Sequence, residues 1–346
     1  MSSVSLRSSD SVKCVLVIGA AGAIGKCLVE HMLQQGIQVI AGLRKTPLDD
    51  SLTKHEGLEC VFGVDCIDAA SIRRCFELHP TIDCVWNLAA PLSVETARNP
   101  EHAYNVVVNG MKNLLAAMRE FSVPRICFSD SIGSYGYAAP RKDATAAWLV
   151  QNPTQDPGSE YGVQKRLCRD LMRSFVEEMP HQRSSRWAII PGVLHSDRKW
   201  GAGTTEYALD AIKCAVEHRP FVCPIEEHAT LPMIWRDDLV TGLCALMLAA
   251  PEQLQEPEGG YTLGGLSFSA AELFACLKQQ PGYDDFSFVI EADSEKLLSE
   301  SPAAVCARLW PDSISAVEAA RDLDFRPLVT EVSDIVARII AASVKN

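Results

Sequence analysis

The chain has 346 residues, 47% of them hydrophobic and 22% charged, and a formal net charge of −12. That composition is globular, and the length allows one large domain or two ordinary ones. The acidic balance argues against nucleic acid and anionic membrane as main partners, because both require a basic surface.

Thirteen cysteines, an odd number, run from Cys14 to Cys306 with no C-x-x-C pair and no metal-ligand spacing. A dispersed set of this kind reads as reduced thiols in a core, hence a cytoplasmic protein. A short mitochondrial presequence at the Ser-rich start is the alternative. The eight histidines contain no H-x-x-x-H, so no metal site is expected. Residues 1–11 read as a disordered tail, and no apolar run reaches the ~18 residues of a membrane span.

From Val12 onward, short apolar runs alternate with helical patterns. Cys14 to Ile18 is a buried strand, followed by a helix from Ala23 to Gln35 with Gly36 just past its end. Val39 to Ala41 and Leu58 to Val61 are the next strands, and Ser71 is expected to cap a helix ending at Leu78. Cys84 to Leu88, Arg125 to Phe128 and Trp187 to Ile190 are further strands. Helices are expected over 103–121 and 160–179. Strict β-α alternation predicts a Rossmann-type, doubly wound parallel sheet.

After Pro191 the pattern loosens: 201–218 reads as loop then helix, helices are expected over 237–250 and 270–279, and Pro- and Gly-rich breaks interrupt the stretch. The expected organisation is a dinucleotide-binding domain over 12–195, to which 231–265 returns. A smaller mixed substrate-binding lobe takes 196–230 and 266–346.

Gly19-Ala20-Ala21-Gly22-Ala23-Ile24-Gly25 joins the first strand to the first helix. Glycines there allow a tight turn and close approach of a pyrophosphate, and the helix N-terminus supplies unpaired N–H groups. The second strand ends in Leu43-Arg44-Lys45, without the acid that normally binds the adenosine ribose. Arg44 is suited to a 2′-phosphate, which favours NADP over NAD. The plainer alternative makes Arg44 and Lys45 ordinary surface residues. Asp65 is placed to accept from the adenine amino group.

Tyr161 and Lys165 stand four residues apart on one helix face. A phenol titrates near pH ~10 in water, and a neighbouring cation favours its ionised form. Such a pair is suited to act as a general base towards a hydroxyl.

With Gly19 to Gly25, Asp65, Asn87-Leu88-Ala89-Ala90 and Ser131 in Ser-Ile-Gly-Ser-Tyr-Gly, this pair resembles the extended short-chain dehydrogenase/reductase family. The resemblance implies Tyr161 as acid/base, Lys165 on the nicotinamide ribose and Ser131 on the reacting oxygen. It extends the cofactor contacts to Gly19, Gly22, Ala23, Ile24, Gly25, Arg44, Asp65 and Cys66. Further contacts are implied at Leu88, Ala89, Ala90, Tyr161, Lys165, Pro191 and Val193. Many relatives carry asparagine where this chain has Val107.

The second half narrows the resemblance to the short-chain type of L-threonine 3-dehydrogenases. It carries Pro191-Gly192-Val193, Gly203-Thr204-Thr205-Glu206-Tyr207-Ala208, Leu231-Pro232-Met233-Ile234-Trp235 and Trp310-Pro311-Asp312-Ser313. The resemblance implies a substrate pocket of Ser93, Ser131, Gly203, Thr205 and Trp310, NAD as cofactor, and a homodimer. Thr204-Thr205 as a helix cap and Trp310 as core are the alternatives. His195, Arg198, Lys199 and Trp200 replace small or apolar residues beside that pocket. A cation there facing inward would favour an extra negative charge on the substrate.

The leading expectation is oxidation of the 3-hydroxyl of L-threonine or a close 3-hydroxy amino acid. An NADPH-dependent reductase of another small carbonyl compound is the first alternative. A nucleotide-sugar epimerase or dehydratase is the second, and it needs a basic diphosphate site that the second half does not display.

Overall fold

The computed structural model describes residues 12–197, 199–201, 203–290 and 301–344. The expected tail of residues 1–11 and Arg198 lie outside them.

Twelve strands are described, in chain order β1 (Cys14–Ile18), β2 (Gln38–Leu43), β3 (Leu58–Phe62), β4 (Cys84–Asn87), β5 (Arg125–Ser131) and β6 (Ser184–Ile190), then β7 (Gly192–Leu194), β8 (Phe221–Cys223), β9 (Thr230–Trp235), β10 (Gly260–Thr262), β11 (Leu266–Ser269) and β12 (Phe288–Ile290). Seven form one sheet in the order β10-β6-β5-β4-β1-β2-β3, with every pairing parallel. Helices cover both faces, which is the Rossmann-type α/β fold expected. Strand order reverses between β1 and β4, the place where open α/β sheets bind their ligands. Two small sheets, β11-β9-β7 and β12-β8, accompany it.

The central strands read as unbroken apolar runs because both faces are buried. Leu16 and Ile18 enter one core, while Val15 and Val17 enter the other. The first core takes the helices Ala69–Leu78, Gly110–Glu120 and Glu160–Glu177. The second takes Ala23–Gln34, Arg236–Leu248 and Val317–Leu323.

Two local expectations need correction. The helix Ala69–Leu78 is capped by Asp68, whose side chain accepts from the Ala70 N–H. Ser71 lies inside the first turn, and its hydroxyl bonds the carbonyls of Asp65 and Asp68. The expected helix over 103–121 instead starts at Pro100, capped by Asn99, and is broken by a π-turn at Asn105–Asn109. A run of three β-branched residues, Val106 to Val108, crowds a regular helix. Just beyond it Gly110 sits so close to the loop after β3 that a Cβ there would stand 2.7 Å from the Cys66 Cβ.

Candidate active site

The turn after β1 is built by its glycines. Gly19 has φ +88°, and a Cβ on it would meet the Ala89 N–H at 3.0 Å. Gly22 donates to the Gly19 carbonyl at 3.0 Å. A Cβ on Gly25 would lie 2.2 Å from that same carbonyl oxygen, so only glycine lets the helix start beneath the turn. No side chain caps this helix, and its first turn holds no acid. Its open N–H groups therefore suit a bound pyrophosphate.

This turn floors a cleft of about 330 Å³ at the carboxyl ends of the strands. Gly19, Gly22, Ala23, Ile24, Gly25, Leu88, Ala90, Pro191 and Val193 line it together with Ser93, Ser131, Tyr161, Lys165, Gly203, Thr205 and Trp310. Ala89 is not in the lining. Arg44, Asp65 and Cys66 stand apart from it, after β2 and β3. They share a neighbourhood: burial pushes the Cys66 thiol up to about 11, Asp65 adds to that, and Arg44 opposes it.

Ser131 ends β5 and caps the short turn Ile132–Ser134, accepting from the Gly133 N–H at 3.1 Å. Among the described residues its hydroxyl donates to nothing. Tyr161 opens the helix Glu160–Glu177, which Ser159 caps. A Cβ on Gly133 would lie 2.6 Å from the tyrosine Cδ1 and 3.6 Å from the Ser131 Oγ, so the ring stacks over the serine turn. Lys165 is 2% exposed, donates to the Ser129 carbonyl at 2.7 Å, and holds its Nζ 5.5 Å from the Tyr161 ring centre. The helix thus carries cation and phenol to the end of β5, where the serine already sits. Val107 is buried, and its carbonyl accepts from the Cys168 thiol at 3.5 Å. The flanking Asn105 and Asn109 bond each other at 2.8 Å.

At the other end of the cleft, the Ser93 hydroxyl pairs with that of Thr204 at 3.2 Å and accepts from the Thr204 N–H. The helix Tyr207–Val216 has Glu206 at its cap with no side-chain cap bond, so neither threonine caps it. The Thr205 hydroxyl donates to the Glu206 carboxylate at 3.4 Å. Burial pushes the Glu206 carboxyl up. Trp310 is 3% exposed, and its indole N–H has no partner among the described residues.

His195 and Trp200 both line this end, while Lys199 is exposed outside it. The His195 ring is buried, accepts from the Asp197 N–H at 3.2 Å, and is pushed down by that burial. Asp197 bonds both Lys26, on the phosphate-loop helix, and Arg236. Sequence reasoning passed over Leu92, Asp130, Thr204 and Glu206 as cleft residues. Asp130 is the direct neighbour of Ser131, and Thr204 and Glu206 lie in the segment Gly203 to Ala208.

A family model described as the NAD dependent epimerase/dehydratase family matches residues 15–256. The chain belongs to that family. It is an oxidoreductase of the NAD(P)-dependent kind, and the glycine cradle and open helix terminus are the donor set such a cofactor needs. An uncharacterised epimerase/dehydratase of Staphylococcus haemolyticus is 26% identical over 319 residues, covering 90% of this chain and 92% of its own. A GalE-like L-threonine dehydrogenase from Cupriavidus necator, in holo form, superposes with a TM-score of 0.78 at 26% identity, covering 95% of this chain and 99% of its own. A monomeric L-threonine 3-dehydrogenase from a metagenome superposes with a TM-score of 0.80 at 26% identity, covering 96% and 100%.

Proposed function

We propose that this protein oxidises the 3-hydroxyl of L-threonine or a close 3-hydroxy amino acid, with Tyr161 as the general base. One observation carries the reading. The cleft that holds Ser131, Tyr161 and Lys165 is also lined by Trp310, whose buried indole N–H has no partner, and by Glu206, whose carboxylate pairs with no cation, both among the described residues. A zwitterionic substrate needs both, a donor for its carboxylate and an acceptor for its ammonium. Trp310 supplies the donor and Glu206 the acceptor.

Gly19, Gly22 and Gly25 would hold the cofactor pyrophosphate, with Leu88, Ala90, Pro191 and Val193 along its length. A bound nicotinamide supplies the hydride acceptor. Ser131 donates to the substrate oxygen, and Tyr161, as the phenolate, takes the hydroxyl proton and becomes the phenol, while the C3 hydride leaves to the nicotinamide. Lys165, fixed by the Ser129 carbonyl, holds positive charge beside the phenol as that proton leaves. The 3-oxo amino acid formed loses carbon dioxide readily.

A second reading, reduction of another small carbonyl compound with NADPH, draws support from Arg44 and Lys45 at the end of β2, where no acid stands. A steady-state panel separates the two. It contains L-threonine, other 3-hydroxy amino acids, 3-oxo acids and a nucleotide sugar, each with NAD(H) and NADP(H). Saturable turnover of L-threonine supports the first reading, and turnover of a 3-oxo acid alone supports the second. Conversion of the nucleotide sugar alone overturns both.

The same proposal includes a reducing, cytoplasmic setting, which 13 free thiols suit. It also includes a homodimer through the helices at 100–120 and 160–177. Met111, Leu114, Leu115 and Met118 are buried in the protomer's own core. Tyr104, Leu167 and Leu171 therefore remain for that contact, along a groove of about 210 Å³. Sedimentation equilibrium decides between one copy and two.

A further inference from the structure

Beneath Ser131 lies a pair of charges that the reading above leaves unused. Asp130 and Arg169 form an ion pair with side chains 0% and 7% exposed. Asp130 sits on β5 between Ser129, whose carbonyl holds Lys165, and Ser131. Its Oδ1 accepts from the Ser131 N–H at 2.7 Å and from the Ser134 hydroxyl at 2.5 Å, and its Oδ2 takes the Arg169 guanidinium. Arg169 stands four residues beyond Lys165 on the same helix, 5.1 Å from the centre of the Trp187 ring on β6. One carboxylate thus ties the serine turn to the helix of the phenol and the ammonium.

An ion pair taken out of water is costly, and apolar residues of similar volume would pack this junction as well. Packing alone therefore does not account for the charges. We propose that Asp130 and Arg169 are positioning residues. They lock the Ser131 turn against the helix carrying Tyr161 and Lys165. They also cancel each other's charge, so that Lys165 alone sets the field at the reacting end. The other ionisable groups facing the pair do not replace either charge. Tyr135 is wholly buried and its phenol is held well above the ordinary range by desolvation. Burial pushes the Cys168 thiol up to about 12. Glu318, across from Tyr135, accepts from the Ser315 hydroxyl at 2.7 Å.

The inference rests on the dehydrogenase reading for its kinetic arm only. The variants are Asp130→Asn, which keeps an acceptor for the Ser131 N–H, Arg169→Met, which keeps the bulk, and the two combined. The first arm measures dissociation constants for oxidised and reduced cofactor by fluorescence titration. The oxidised nicotinamide ring carries a positive charge that the reduced ring lacks. Asp130→Asn leaves an uncancelled cation, so the oxidised-to-reduced ratio should rise about threefold or more, while Arg169→Met should lower it by a similar factor. The double variant, neutral again, should return to the wild-type ratio. In the second arm, the acidic limb of kcat/KM should move to lower pH in Asp130→Asn and to higher pH in Arg169→Met.

The double variant should also lose about tenfold in kcat with KM nearly unchanged, because the serine turn is no longer tied to the helix. A merely structural pair would lower the folded fraction and leave these ratios alone. Shifts of the same sign in both single variants, or none, overturn the proposal. If neither single variant folds, the double variant decides, and wild-type kcat in it overturns the proposal. If the wild type turns over nothing in the substrate panel, the oxidation reading fails while the cofactor ratio still tests the pair.

Discussion

Gly162 and Gly133 approach so closely that a Cβ on Gly162 would stand 2.0 Å from the Gly133 carbonyl oxygen. Two bare α-carbons therefore set the distance between the serine turn and the helix that carries Tyr161. Gly162→Ala must push that helix back. Overpacking of this kind costs about 1–3 kcal/mol, and a displacement near 1 Å lowers turnover about 100-fold. Thermal unfolding and kcat, measured together, check it; wild-type kcat in a destabilised variant would show that the helix does not set the reaction geometry.

Tyr161→Phe removes the assigned base and little else. Turnover should fall by about 100-fold or more, with cofactor affinity within about twofold of wild type. Single-turnover kinetics and a fluorescence titration measure the two separately. Residual activity above a few per cent would remove Tyr161 from the role.

Arg44→Ala tests the adenosine end. NADP affinity should drop about tenfold or more while NAD affinity barely changes, because only a 2′-phosphate offers the guanidinium a charged partner. Equal losses for both cofactors would mean that Arg44 does not read that phosphate.

Glu206→Gln removes the negative charge of the proposed acceptor for the substrate ammonium while keeping an oxygen in place. KM for a 3-hydroxy amino acid should rise about tenfold, and KM for the matching 3-hydroxy acid without the amine should stay level. An equal rise for both compounds would assign Glu206 to the loop instead.

The buried His195 gives a pH signature. Burial holds its folded-state value below the ordinary one, with Asp197 opposing and Arg236 and Lys26 assisting. Its contribution is thus full above the unfolded value near ~6.5 and is lost as pH falls below it, because the unfolded state takes up the proton first. His195→Asn should flatten the stability profile on that acidic side. Urea unfolding across pH measures the slope, and an unchanged slope would assign it to another group.

The strands of the main sheet and the glycine turn were legible because each is written in contiguous residues. Val15 and Val17 face one core and Leu16 and Ile18 the other, and such a run needs no partner to be recognised. Tyr161 and Lys165 were legible for the same local reason, one turn apart on one helix. Asp130 and Arg169 were not, because 39 residues separate them and only the packing of the helix Glu160–Glu177 on β5 joins them. Glu206 looked like any acid before a helix. The π-turn was invisible because the apolar period continues through it. The Asp68 cap lost to Ser71 in sequence because both are good caps and only the backbone decides between them.

The edge strand β10 reaches the sheet from residue 260 and pairs with β6, whose last residue is Ile190. Between them the chain builds β7, β8, β9 and two helices. A growing chain thus carries an open edge on β6 through roughly seventy residues of synthesis, a long-range closure of the kind that slows folding. The sheet that holds the glycine turn is complete only after Gly192, Thr204 and Glu206 on the other side of the cleft have been made, so the two sides of the cleft mature together.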